Sequence, residues 1–288
     1  MPKSFMNQKR IPIYLDSNVI IDTYNGIDDE LIGLILRSVF QGLYCYPFTS
    51  EQISEIVVEN DKQLSSNRLK YLSIISQNVY FESSMNRTGF TSNSPVQVFD
   101  TISEVTMGSE WERKLGSIVT YEEELLARSE FGLSPNELNN LTATQAIESI
   151  NDALHSYKYE LKEGEEEPPR SLDEMMDYII KIMKESFSGI WDVFNADPEK
   201  QIFNVQVVSI FTMMDTLGFW SDSRGVHKRG SRYADSRHAE NGRHFSMVVS
   251  RDKRFLKKTE AAYLFFDIKT KTLNTDQFKQ HLQSVIGT

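Results

Sequence analysis

The sequence has little cysteine and no long apolar run. Its single cysteine, Cys45, cannot form an internal disulfide, and one thiol excludes thiolate zinc sites of the finger type. Cys45 lies in the strand-like run LYCYPF and is expected to be a small core residue. No apolar run approaches the roughly 18 residues of a membrane span. The opening MPKSFMNQKRIP also lacks an apolar stretch of signal-peptide length, so the sequence predicts a cytoplasmic protein with no membrane partner.

Two catalytic motifs are missing as well. The chain has no GxxxxGK[ST] phosphate loop and no nucleophile-elbow sequence for Ser/His/Asp catalysis. These absences count against P-loop nucleotide hydrolysis and against serine-hydrolase chemistry. Hydrophobic residues make up 40% of the chain, which is ordinary for a globular protein and sufficient for a sizeable core.

The net charge of −10 argues, taken alone, against a nucleic-acid partner, but the charge is unevenly distributed. The stretch from Arg224 to Lys258, called here the basic segment, holds eleven lysines and arginines against three acids. Its net charge of +8 leaves −18 for the rest of the chain. Because Lys and Arg neutralise a phosphodiester backbone, the segment favours a nucleic-acid substrate. A solvated charged face is the alternative.

Strand-like and helix-like stretches alternate at both ends of the chain. Residues 1–83 contain, in order, the strand IPIYL, a helix over 29–40, the strand LYCYPF, a helix over 51–75 and the strand NVYFE. Residues 201–288 contain a helix in FNVQVVSIFTMMDTLGF, a helix after a basic loop, a strand in FSMVV, a short helix and a final strand in AYLFF. This alternation predicts an α/β fold whose central parallel sheet is flanked by helices.

Residues 84–200 differ in composition and are predicted to form a mostly helical insertion between the two core parts, 1–83 and 201–288. The insertion begins with a polar, loop-like stretch, SSMNRTGFTSNSP, and continues with acidic segments of helical period. SLDEMMDYIIKIMKESF predicts an amphipathic helix in which Ser171 and Glu174 have capping-box spacing. We expect the insertion to pack beside the sheet and to shape access to the site.

Four acidic residues lie in four separated parts of the chain. They are Asp16 in IPIYLDSNVIID, Glu55 in YPFTSEQISEIV, Asp235 in RYADSRHAENG and Asp252 in FSMVVSRDKRF. Asp16 and Asp252 follow strand-like stretches, and open α/β sheets bind ligands at strand ends. Carboxylates gathered at one place repel one another unless a cation lies between them, and Mg²⁺ and Mn²⁺ favour oxygen ligands. The sequence therefore predicts that these four residues are both the metal ligands and the catalytic residues.

Each of these assignments has a structural alternative. Asp16 and Asp235 are also suited to capping the helices that follow them. Glu55, with Glu51 one turn before it, has the pattern of a solvated acid on an amphipathic helix. Asp252 stands among basic residues and is also compatible with a turn.

Further residues are predicted to support the site. Asn18 is expected to donate a hydrogen bond that orients a ligand. His238 follows Asp235 by one helical turn and is expected either to contact a phosphate or to orient Asp235, with a packing or surface role as the alternative. The predicted nucleic-acid contacts are Lys228, Arg229, Arg232, Arg237, His238, Arg251, Lys253 and Arg254.

The segments IPIYLDSNVIID, TSEQISEIV, ADSRHAENGRHFSMVVSRDKRF and KTKTLNTDQFKQHL resemble the PIN-like domain family. That family's pattern is an Asp after the opening strand, a Glu on the next helix but one, an Asp opening a later helix and an Asp after the following strand. Asp16, Glu55, Asp235 and Asp252 match these positions in turn. The resemblance covers about 170 residues in two blocks. It implies a nuclease dependent on Mg²⁺ or Mn²⁺ that hydrolyses RNA, or less often structured DNA, and in which no side chain acts as nucleophile.

The resemblance also implies a biological role and leaves alternatives. PIN-like nucleases include toxins and processing enzymes, so a toxin or antiviral defence effector is expected. Its activity would be controlled by the acidic insertion or by a separately encoded inhibitory or activating protein partner. Self-association into a homo-oligomer is a further expectation. One alternative is a catalytically inactive PIN-like module that binds RNA or a protein. Another is a haloacid-dehalogenase-like phosphatase, which requires a second Asp two residues after Asp16, where this chain has Asn18.

Overall fold

The computed structural model describes most of the chain in several stretches. These are residues 10–57, 61–84, 87–105, 126, 128–130, 132, 134–157, 167–186, 206–220 and 229–287.

The described residues fall into two compact units. The first takes its residues from Met1–Glu110, Asn241–Leu256 and Lys269–Thr288, and the second from Trp111–Glu240 and Lys257–Ile268. The chain therefore passes from one unit to the other several times.

The first unit is built around a four-stranded parallel sheet. Strand β1 (Ile11–Leu15) lies at its centre, with β2 (Tyr44–Cys45) on one side and β5 (Met247–Val249) and then β6 (Lys271–Leu273) on the other. The predicted α/β class with a parallel sheet flanked by helices is confirmed.

Helices account for most of the remaining described elements. The first unit contains α1 (Ser17–Tyr24), α2 (Asp29–Phe40), α3 (Ser50–Val57), α4 (Lys62–Ser76), α5 (Pro95–Val105) and α12 (Thr275–Ile286). The second contains α6 (Pro135–Leu138), α7 (Ala143–Ser156), α8 (Leu172–Ser186) and α9 (Gln206–Leu217). Helices α10 (Arg229–Gly242) and α11 (Lys253–Phe265) contribute residues to both units.

Strand β1 is buried on both faces, as a central parallel strand should be. Ile13 and Leu15 belong to the main apolar cluster together with residues of α2, α3, α4 and α12. Tyr14 points to the opposite face, where its ring packs edge-on against Phe245 at 5.2 Å between centroids. All three side chains are at most 2% exposed, so burial fixes the register of β1.

A β-hairpin extends the first unit beyond β2. Strand β3 (Val79–Ser84) pairs antiparallel with β4 (Arg87–Ser92), and Phe48 forms a parallel bridge with Tyr80. The prediction of a loop over SSMNRTGFTSNSP is therefore wrong at Ser83 and Ser84, which end β3, and from Arg87 to Ser92, which form β4. The segment is polar, but pairing with β3 satisfies its backbone, and its Thr and Phe residues suit a strand.

The first unit also runs past the predicted boundary at residue 84. Helix α5 packs against α3 and α4, and Val98 in α5 is 8% exposed within the apolar cluster. The three-part domain division remains a prediction, but β4 and α5 belong to the same compact unit as the sheet.

Two further expectations require correction. The predicted helix over 51–75 is two helices, because Asp61 caps α4 by accepting from the backbone N–H groups of Gln63 and Leu64 at 2.9 and 3.0 Å. The first four residues of the predicted final strand AYLFF belong to α11 and Phe266 follows it in a turn, while the last strand of the described residues is β6. A short apolar run is compatible with either structure, and the Asp252 side chain caps α11.

The second unit contains helices and an internal ion pair. The Nζ of Lys258 donates to Oδ1 of Asp215, and the two side chains are 9% and 6% exposed. At the start of α8, the Glu174 N–H donates to Oγ of Ser171 at 3.2 Å, in agreement with the predicted capping spacing. None of the helices in the described part of the chain is long and apolar enough to cross a membrane.

Candidate functional site at the carboxyl ends of β1 and β5

The chain order of the sheet reverses at β1. After β1 the chain forms β2 on one side, and it later returns to form β5 and β6 on the other. Parallel neighbours end at the same edge, so Asp16 after β1 and Ser250 after β5 lie side by side. Open α/β sheets bind ligands at this kind of switch point.

Asp16 is held in place by side chains from two strand ends. Its Oδ2 accepts hydrogen bonds from Nδ2 of Asn18 and from Oγ of Ser250, the second at 2.6 Å. Asp16 occupies the N-cap position of α1, but its side chain makes no capping hydrogen bond. The residue is 8% exposed, so the sequence places a largely buried, oriented carboxylate at the switch point.

Asn18 joins the two strand ends. Its Nδ2 also donates to Oγ of Ser250 at 2.9 Å, and its Oδ1 accepts from the backbone N–H of Arg251 at 3.1 Å. An aspartate at position 18 would place a second negative charge beside Asp16 and could not donate to it. This contact agrees with the predicted orienting role.

The two residues after Ser250 have side-chain partners other than Asp16. The Arg251 guanidinium donates to both carboxylate oxygens of Asp22 at 2.7 Å. Oδ1 of Asp252 accepts from the backbone N–H groups of Arg254 and Phe255, at 2.8 and 3.2 Å. Asp252 therefore caps α11, a role that the sequence did not predict, since its expected alternative was a turn. Its own N–H donates to Oγ of Ser250 at 3.0 Å.

Helix α3 brings two more acids to the same part of the first unit. The helix is tied to β1 through Gln52, whose Nε2 donates to the Leu15 carbonyl. Burial raises the pKa of the Tyr14 phenol well above its ordinary value, and the negative charges of Glu51, Asp16 and Glu55 raise it further. Three carboxylates therefore act electrostatically on one buried hydroxyl.

Glu51 accepts hydrogen bonds from two side chains, one on α3 and one on α10. Its Oε2 accepts from Nδ2 of Asn241 and from Oγ of Ser50, the second at 3.0 Å. Its charge also raises the pKa of Tyr80, after burial as the main cause. Sequence reasoning selected Glu55, one turn later, and missed Asn241 and Ser250. For Ser250, its position at the end of the apolar run FSMVV was an available signal.

The predicted residues on α10 lie in the second unit. Asp235 and Arg237 are partly exposed, whereas His238 is 1% exposed. Such burial favours packing or positioning of a neighbour over contact between His238 and a phosphate.

The basic segment is only partly presented to solvent. Lys253 and Arg254 are exposed, Arg251 is paired with Asp22, and Lys258 is buried against Asp215. Lys228 lies outside the described residues, as do the side chains of Arg229 and Arg232.

Among the residues that the structure describes, no group of three or more His, Cys, Asp or Glu side chains is arranged to hold a metal ion. The four-carboxylate metal site remains a prediction. Mg²⁺, however, is commonly bound by one or two carboxylates, with water and substrate phosphate as its other ligands. The oxygen donors around Asp16 and Glu51 fit a site of that kind.

The thiol of Cys45 is not a candidate nucleophile. Cys45 lies in β2, and burial raises its pKa to about 11, so it is protonated at neutral pH. Its side chain is only partly buried, so the expected role as a small core residue is not confirmed.

Comparisons with protein-family models, curated proteins and solved structures find no match for this chain.

Proposed function

We propose that this protein is a PIN-like nuclease that depends on Mg²⁺ or Mn²⁺ and hydrolyses phosphodiester bonds, with RNA as the favoured substrate. The observation that supports this proposal most strongly is the oriented carboxylate of Asp16 at the sheet's switch point. Asn18 and Ser250 both donate to its Oδ2, and Glu51 and Glu55 lie on the helix anchored to the same strand.

Each residue has a distinct part in the proposed mechanism. Asp16 binds the cation, while Asn18 and Ser250 hold its carboxylate in one orientation. Glu51 and Glu55 add negative charge near this edge, which increases cation affinity. When bound, such an ion would lower the pKa of a coordinated water and offset charge on the phosphate. This chemistry needs no side-chain nucleophile, in keeping with the protonated Cys45 and the absence of a nucleophile-elbow sequence.

The basic segment supports the choice of substrate. Lys253 and Arg254 are exposed at the start of α11, immediately after the β5 strand end. Cations placed there are suited to hold the phosphodiester backbone near Asp16. A toxin or antiviral defence role, restrained by a protein partner or self-association, follows from the same proposal and rests on the family resemblance.

The proposal is tested by incubating the purified protein with labelled single-stranded RNA, duplex RNA, single-stranded DNA and duplex DNA. Each substrate is tested with Mg²⁺, with Mn²⁺ and with EDTA. We expect cleavage of RNA with either ion and none in EDTA. Undiminished cleavage in EDTA would refute the metal-dependent mechanism, and preference for DNA would change the substrate class.

A second candidate is a PIN-like module that binds RNA or protein without catalysis. The observation that favours it is the Asp252 carboxylate, which is hydrogen-bonded to the first backbone amides of α11. This candidate predicts binding of labelled RNA by the intact protein without any cleavage product in Mg²⁺ or Mn²⁺.

A further inference from the structure

Asn241 is a buried polar residue with half of its hydrogen-bonding capacity unused. It lies near the end of α10, in the part of that helix that belongs to the first unit, and it is 0% exposed. Its Nδ2 donates to Oε2 of Glu51. In the described part of the chain, no hydrogen-bond donor reaches its Oδ1. A buried amide oxygen without a partner is costly, and native proteins rarely leave one unsatisfied.

The unused oxygen belongs to the amide group whose nitrogen contacts a carboxylate. The two heteroatoms of an amide share one carbon, so Oδ1 of Asn241 is adjacent to the atom that contacts Glu51. Two different elements therefore bring a neutral oxygen and a charged oxygen together: α10 supplies Asn241, and α3 supplies Glu51. Amide and carboxylate oxygens are the ligands that Mg²⁺ and Mn²⁺ prefer.

Glu51 is also held more firmly than its position on an amphipathic helix requires. Ser50 and Asn241 both donate to its Oε2. Among the acids that raise the pKa of Tyr14, Glu51 has the largest effect, followed by Asp16 and then Glu55. Its charge therefore lies close enough to the buried Tyr14 of β1 to act on it.

We propose that Glu51 and Oδ1 of Asn241 form a subsite for a divalent cation, so that Glu51 rather than Glu55 is the carboxylate that α3 supplies for metal binding. This inference rests on the proposed function in assigning the ion to the nuclease site, but the subsite itself is defined by cation binding alone. Asn241 acts in it as a neutral ligand and as the residue that positions Glu51.

The test measures Mn²⁺ binding to the intact protein, without substrate, by following free Mn²⁺ with electron paramagnetic resonance. Glu51→Gln and Glu55→Gln form a matched pair, since both positions are partly buried on α3 and lie one turn apart. Asn241→Leu removes the amide oxygen at nearly constant volume. Asn241→Asp replaces the amide by a charged oxygen ligand.

We expect Glu51→Gln and Asn241→Leu each to weaken Mn²⁺ binding about tenfold or more, and Glu55→Gln by less than about threefold. Asn241→Asp should bind Mn²⁺ at least as tightly as the unmodified protein. Without metal, its second carboxylate beside Glu51 should lower Tm, and Mn²⁺ should raise Tm more than it does for the unmodified protein. A merely structural Asn241 would not produce this metal-dependent recovery.

The outcomes separate this inference from the nuclease proposal. Mn²⁺ binding that depends on Glu51 and Asn241, in a protein that cleaves no nucleic acid, supports the subsite and refutes the nuclease. Metal-dependent cleavage with full Mn²⁺ affinity in Glu51→Gln refutes the subsite and leaves the nuclease standing. Absence of Mn²⁺ binding to the folded, unmodified protein overturns the subsite directly.

Discussion

At the scale of single residues, Asp16 shows why a carboxylate at a strand end need not be a helix cap. Its position before α1 suits capping, yet Ser250 and Asn18 hold the side chain away from the helix amides. Ser250 and Asn18 are neutral donors that orient this nearly buried carboxylate. Under the proposed function, Ser250 should therefore matter as well as Asp16.

Replacing Ser250 by alanine should reduce activity without unfolding the protein. The change removes one of the donors that orient Asp16, and loss of such a partner typically costs 10- to 100-fold in metal affinity or activity. We expect a cleavage rate lower by roughly that factor and a free energy of unfolding lower by about 1–3 kcal/mol. The measurements are single-turnover cleavage with Mn²⁺ and urea unfolding. Ser246→Ala, an exposed serine on the same chain segment, serves as control, and equal activities would contradict the orienting role.

The lowered pKa of His244 leads to a prediction of how the stability of the protein changes with pH. Burial, with a smaller effect of the Arg243 charge, lowers the pKa of His244 to about 4, below its ordinary value of 6.5. Between these values the unfolded chain binds a proton that the folded protein does not. Stability contributed by neutral His244 is therefore complete above pH 6.5 and is lost as the pH falls toward 4. We expect the Tm of the unmodified protein to fall more steeply over this range than that of His244→Gln, and parallel curves would contradict the prediction.

At the scale of secondary structure, the second unit contains an ion pair that is costly to break. The pair between Lys258 in α11 and Asp215 in α9 is almost fully buried, and the Lys258 Nζ lies 5.2 Å from the centroid of the Phe211 ring. Removing one partner leaves an uncompensated buried charge. The pair therefore ties α11 to α9.

Lys258→Met should destabilise the protein by about 3–5 kcal/mol, because Asp215 would remain buried and charged. Lys257→Met is the matched control. The Nζ of Lys257 lies 3.5 Å from the Asn139 carbonyl oxygen and 5.7 Å from the centroid of the Trp220 ring. We expect that control to cost less than about 1 kcal/mol. Urea unfolding measures both changes, and similar losses in the two variants would show that the ion pair has no special role.

Element type was predictable where the sequence pattern was long or bounded by a clear signal. The strands β1, β3 and β5 were predicted from apolar runs that end in polar residues, and α8 from its amphipathic period. The strand β4 was missed because its backbone is stabilised by pairing with β3 and not by an apolar pattern of its own. AYLFF was assigned to a strand because a short apolar run does not distinguish a strand from a buried helix.

At the scale of the whole molecule, the candidate site combines residues that are far apart in sequence. Asp16 was predictable because its signal is local: an apolar run followed by an acid. Its contact with Ser250 spans 234 positions, and that of Glu51 with Asn241 spans 190. Such pairs are determined by how the sheet and helices assemble, and no local spacing encodes them.

The uneven distribution of charge along the chain leads to a prediction about how RNA affinity depends on salt concentration. If the basic segment contacts backbone phosphates, neutralising Lys228, Arg229 and Arg232 together should weaken binding to RNA of any sequence. The slope of log affinity against log salt concentration should fall by roughly 0.7 for each lost contact with a single strand. This slope is measured by fluorescence anisotropy of labelled RNA at several salt concentrations. An unchanged slope would show that the basic segment does not contact phosphates and would favour the alternative, a solvated charged face.

The central claim is that Asp16 is the key carboxylate of a metal-dependent nuclease, and one comparison tests it most directly. Single-turnover cleavage of labelled RNA with Mn²⁺ is measured for the unmodified protein, for Asp16→Asn and for Asp29→Asn, an exposed acid in the first turn of α2. We expect Asp16→Asn to lose roughly 100-fold or more in rate, or about 2.7 kcal/mol of transition-state stabilisation, with its fold retained. Asp29→Asn should cleave at the unmodified rate. Full activity in a folded Asp16→Asn protein would contradict the account.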